Sequence, residues 1–102
     1  MSVYEKLQSL GVDLPEPAAP VASFVPVVRT GNLVFLSGHF AKQAGKPLAG
    51  KLGADFTTVQ GQAAARSVAI ELLATLNAAL DLNTVKQIVK LMVLVNSAPA
   101  FT

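Results

Sequence analysis

Gly31 and Asn32 separate two runs rich in β-branched and aromatic residues, "SFVPVVR" at 23–29 and "LVFLSG" at 33–38. A two-residue gap of this kind favours a tight hairpin, because glycine accepts the positive φ that the primed turns demand. Two antiparallel strands are therefore expected around it. Pro26 confines the first to a sheet edge or a bulge, since proline has no amide hydrogen to give to a ladder.

Further along, Gly45 and Lys46-Pro47 mark a second turn, and "PLAGKLG" at 47–53 reads as a third strand weakened by Gly50 and Gly53. Thr57-Thr58-Val59-Gln60 fits a capping box, in which a Thr hydroxyl accepts from the amide three residues on while the Gln side chain reaches back. A long helix should begin there and run to about Leu80. Ala65, Ala69, Leu72, Leu73, Leu76 and Leu80 form its apolar stripe, with Gln62, Arg66, Ser67 and Asn77 mostly elsewhere. The alanines let the helix lie close to a flat apolar surface, which a sheet provides. After "DLN" at 81–83, "TVKQIVKLMVLVNS" at 84–97 reads as a strand with Val85, Val89, Leu91, Val93 and Val95 buried; a helix at its beginning is the less favoured alternative.

Before the hairpin, Val3, Leu7 and Leu10 recur at helical spacing and Gly11 can end that short helix in a left-handed conformation. "LPEPAAP" at 14–20 then holds three of the six prolines and should run extended over the surface. Residues 1–20 are thus a helix and leader to a single domain spanning 1–102. The order β-β-(β)-α-β gives an α+β fold, its sheet covered on one face by the long helix and bare on the other.

Hydrophobic residues make up 52% of the 102 and charged residues 14%, so the chain has ample apolar surface to bury and should self-associate. Eight Lys and Arg against six Asp and Glu leave a net charge of +2, dispersed except where Lys42, Lys46 and Lys51 come near one another. Nucleic acid as a partner is not supported by that pattern, which lacks a dense basic stripe interleaved with aromatics. With no Cys and one His, a metal site is not expected. Glu5, Lys6 and Asp13 interrupt the start, and the longest apolar stretch, "LMVLV" at 91–95, falls far short of the ~20 residues a membrane span needs. A soluble cytoplasmic protein is the expectation.

The leader residues Leu14, Pro15, Pro17, Pro20 and Ala22, the block "FVPVVRTGNLVFLSGH" at 24–39, the Ala-rich helix and "VKQIVKLMVLVNSAPAF" at 85–101 together resemble the RidA/YjgF family. That family is also labelled L-PSP endoribonuclease-like or reactive intermediate deaminase. Thr30 to Gly38 is the most specific part of the likeness. The resemblance implies a chorismate-mutase-like fold, a homotrimer with ligand clefts between subunits, and cofactor-free hydrolysis of small 2-imino acids or related enamines. It also implies an arginine that holds the substrate carboxylate and a glutamate that orders the attacking water, on strands following a second helix. This chain ends at Thr102 before either, and Arg29 and Arg66 do not occupy the matching position. A chain lacking its C-terminal helix and strands is therefore expected, with unpaired strand edges that favour aggregation. Other departures are Phe24 where the family often has Tyr, His39 where Gln often follows Ser-Gly, and Pro99 in place of the Asn of an "N-D-F" motif.

No catalytic residue can be assigned within the chain. The substrate-binding candidates are Ser37, Gly38, His39, Phe24 and Asn96. Gly38 would let a backbone amide approach a ligand carboxylate closely, and His39 can change charge near neutral pH; equally, Ser-Gly can simply end a strand and leave His39 on a rim. Ser37 has no identifiable base to activate it. Phe24 lines a cleft or packs in the core, and Asn96 with Ser97 either serves a ligand or satisfies a turn. Three functions follow: a deaminase or hydrolase of carboxylate-bearing imines, a non-catalytic or regulatory binder of small carboxylates, and, last, an endoribonuclease.

Overall fold

A computed structural model describes residues 2–16, 25–43 and 46–102. The leader from Pro17 to Phe24 and the turn residue Gly45 lie outside them. The order of elements is α1 (Val3–Ser9), β1 (Val27–Thr30), β2 (Leu33–Leu36), β3 (Lys42–Gln43), β4 (Lys46–Pro47) and α2 (Thr58–Ala79), followed by a 3-10 turn at Leu82–Thr84. The fold is α+β, with two small antiparallel sheets, β1-β2 and β3-β4, and a long helix. Two compact units emerge, one from Met1–His39 with Ala69–Gln87, the other from Phe40–Val68 with Ile88–Thr102.

In the first unit β1 and β2 pair antiparallel with Val27 opposite Leu36 and Thr30 opposite Leu33, so Gly31 and Asn32 alone form the turn. Gly31 takes φ 56°, which is why the turn closes at this residue type. Val34 and Leu36 are half-buried while Leu33 and Phe35 are exposed, the alternation of a strand with one covered face. Helix α1 begins where the Ser2 side chain accepts from the Glu5 amide and ends in a Schellman pattern. There the Val12 amide donates to the Leu7 carbonyl, the Gly11 amide to that of Gln8, and Gly11 has φ 72°. Tyr4 ties this helix to the end of α2: its hydroxyl lies 2.7 Å from the Asn77 side-chain oxygen and accepts from the Leu82 amide at 3.1 Å. Leu82, 2% exposed, and Ala74, 3% exposed, are the most buried apolar residues.

In the second unit Leu52 is the centre. Its amide donates to the Asn96 carbonyl and its carbonyl accepts from the Ala98 amide, a single parallel bridge to Ser97. A side chain at Gly61 would meet Leu52, and one at Gly53 would meet Phe101. The capping box forms as the sequence indicates: the Thr57 amide donates to the Gln60 side-chain oxygen at 2.8 Å and the Gln60 amide to the Thr57 hydroxyl at 3.2 Å.

Three expectations need correcting. The third strand reduces to β4 at Lys46–Pro47; beyond it Gly53 turns at φ 88° and only Leu52 makes a bridge. The expected apolar stripe of α2 holds in its second half, where Leu72, Leu73, Leu76 and Leu80 are half-buried, but not in its first, where Ala65 and Ala69 are exposed and Gly61, Ala64 and Val68 are half-buried instead. Alanines surround this helix on every side, so their spacing does not fix its phase. The strand expected over 84–97 is absent among the described residues. Thr84 ends the 3-10 turn, in which the Asp81 side chain accepts from the Asn83 amide, and residues 85–96 join no ladder. Val85, Val89, Leu91, Val93 and Val95 are exposed rather than buried, Val89 by 74%. β-Branched residues favour an extended backbone, but a strand exists only where a neighbouring edge accepts its hydrogen bonds.

Candidate functional site

The segment leaving β2 carries the sequence candidates Ser37, Gly38 and His39. Ser37 continues the hairpin: its amide donates to the Pro26 carbonyl at 2.9 Å and its hydroxyl to the Val25 carbonyl at 2.5 Å. That hydroxyl is committed to structure, with no base beside it. At Gly38 the ladder stops. The Gly38 and His39 amides donate to no acceptor among the described residues, and a side chain at 38 would meet nothing within 4 Å. A backbone N–H beside a glycine with open space around it can be approached closely by an acceptor oxygen.

The His39 ring does not lie on an open rim. Its side chain is 13% exposed and set against α2, with Nδ1 3.4 Å from Glu71 Oε2 and Nε2 3.4 Å from Thr75 Oγ1. Residues four apart on a helix share a face, so α2 presents an acid and a hydroxyl one turn apart, matched to the two nitrogens of one ring. Glu71 is a quarter exposed and Thr75 only 3%. Neither was singled out from the sequence as a partner of His39. The available signal was an acid and a hydroxyl at this spacing inside the apolar run "IELLATL", residues 70–76.

The remaining candidates lie elsewhere. Asn96 belongs to the second unit, where its side-chain amide donates to the Gly50 carbonyl at 3.2 Å and its own carbonyl holds Leu52. Phe24 is outside the described residues. The second unit also has an open pocket of about 280 Å³ between Gly53–Thr58 and Phe101. Two of its polar side chains are engaged locally: the Asp55 carboxylate accepts from the Lys51 amide, and Thr57 caps α2. Lys42 lies 5.2 Å from the centre of the Phe40 ring, a cation–π contact. No three metal-ligating side chains cluster among the described residues, and no helix is long and apolar enough to cross a membrane.

Comparison with known proteins identifies the family of the chain. Protein TCP17 of Trypanosoma cruzi is 45% identical over 98% of this chain, which in turn spans 64% of TCP17. The crystal structure of a "putative endoribonuclease" from Shewanella oneidensis MR-1 superposes with a TM-score of 0.70 at 35% identity, over 78% of this chain and 53% of that one. Residues 4–100 match the family described as "YjgF/chorismate_mutase-like, putative endoribonuclease", and the chain, with its antiparallel hairpin and long helix, belongs to it.

Proposed function

We propose that this chain supplies the carboxylate-binding part of a deaminase that hydrolyses small 2-imino acids or related enamines. The observation that carries the reading is the open space at Gly38, where the ladder stops and neither the Gly38 nor the His39 amide has an acceptor among the described residues. A substrate carboxylate accepts from both N–H groups; water adds to the imine carbon, the carbon–nitrogen bond breaks, and a 2-oxo acid and ammonia leave. Binding of this kind contributes to rate by orienting the carbon toward water. The arginine and glutamate that the family resemblance implies are not among residues 1–102, so in this proposal they come from further chain or from neighbouring subunits. The assembly is a cytoplasmic homotrimer with the cleft between subunits.

A non-catalytic binder is the second reading. It is favoured by the engagement of the Ser37 hydroxyl and of both His39 nitrogens, which leaves no free acid or base beside the amides. The endoribonuclease named by the family description and the solved structure ranks below both, since the basic residues are dispersed along the sequence rather than gathered in a stripe interleaved with aromatics. An amino-acid oxidase generating imines in the presence of semicarbazide decides between the first two. A deaminase lowers semicarbazone formation; an undiminished signal, with 2-oxobutyrate bound in calorimetry, overturns deamination in favour of binding.

A further inference from the structure

We propose that Glu71 is a positioning residue for the amide pair at Gly38 and His39, acting through the His39 ring, with Thr75 as the second anchor. This rests on the reading of those amides as a carboxylate cradle. Gly38 opens the approach to the ligand, but by the same lack of a side chain it loosens the backbone that must be held still. The residue that follows carries a ring fixed at both ends, 3.4 Å from Glu71 and 3.4 Å from Thr75. A carboxylate only accepts, so Nδ1 carries the hydrogen and donates to Glu71. Nε2 is then left to accept from the Thr75 hydroxyl. Turning the ring breaks both contacts together, so the backbone at 39 is restrained by a side chain anchored on a 22-residue helix.

The arrangement also assigns His39 a role. With both nitrogens occupied it does not touch substrate; it transmits the position of α2 to the end of β2. Each contact is long, so neither alone holds the ring firmly. Removing Glu71 frees it.

His39 is the one histidine of the chain, so histidine-selective ¹⁵N labelling yields a single pair of ring nitrogens. Long-range ¹⁵N–¹H correlation well above neutral pH should show the Nδ1–H tautomer in the wild type, the Nε2–H tautomer favoured by free imidazole in Glu71→Ala, and Nδ1–H again in Glu71→Gln, whose amide oxygen still accepts. Calorimetry with 2-oxobutyrate should show about tenfold weaker binding for Glu71→Ala, the loss of one hydrogen bond to a charged group, and recovery in Glu71→Gln. A loss of fold would not be repaired by so slight a change in charge while shifting one tautomer. The Nε2–H form in the wild type, or equal affinity in Glu71→Ala, overturns the positioning role. A wild type with the Nδ1–H tautomer that binds no 2-oxobutyrate overturns the cradle itself, leaving only the ring geometry.

Discussion

Gly31 and Gly38 look alike in the sequence, yet they answer to different physics. Gly31 sits at φ 56°, where a side chain crowds the following carbonyl, so Gly31→Val should lower stability by roughly 1–2 kcal/mol in urea denaturation. Gly38 has no positive φ and open space where a side chain would go. Gly38→Ala should therefore leave the denaturation midpoint nearly unmoved, within about 0.5 kcal/mol, while reducing 2-oxobutyrate affinity, because the methyl stands where the ligand must approach. If Gly38→Ala unfolds the hairpin instead, the residue is structural and the cradle fails. Gly50 is a third case: a side chain there would meet the Phe56 ring, so it is required by packing alone.

Elements whose cause is local were legible before any coordinates. The hairpin follows from Gly31-Asn32, the stop of α1 from Gly11, and the start of α2 from Thr57 and Gln60, because each depends on residues within one turn. Thr57→Ala should accordingly cost about 1 kcal/mol, and Thr57→Ser should restore most of it, in urea titrations followed by the helical circular dichroism signal; equal losses in both variants would mean the hydroxyl is not the cap. What was not legible depends on partners distant in sequence. The buried phase of α2 is set by what it packs against, and Ala65 and Ala69 carry no mark that they face solvent. The site shows the same division. Ser37-Gly38-His39 stood out through its family resemblance, whereas Glu71 meets His39 across 32 residues, a separation no periodicity encodes.

At the scale of the whole molecule the decisive feature is the apolar run 85–95. Its side chains are exposed at every position, Leu94 by 90%, and its backbone joins no ladder among the described residues. A strand apolar at successive positions is one built to be covered on both faces, as the interior strands of a sheet are. Left open, it presents to any neighbour both unpaired backbone groups and a continuous hydrophobic surface. Lys86 and Lys90 are the only charges along it, and both fall in its first half, so the second half has nothing to repel a like segment from another copy. The chain should therefore self-associate through residues 91–95. Sedimentation velocity at roughly 50 µM, within the range where exposed strand edges associate, should resolve species larger than the 10.6 kDa monomer. Leu94→Lys should shift the distribution toward that monomer, because a charge placed mid-run must be desolvated in any edge-to-edge pairing. Charge at this position acts on association without touching the hairpin, so the tautomer of His39 should be the same in Leu94→Lys and wild type. A wild-type chain that sediments as one monomeric species would show that the run is covered within a single molecule, and would remove the physical ground for placing the ligand cleft between subunits.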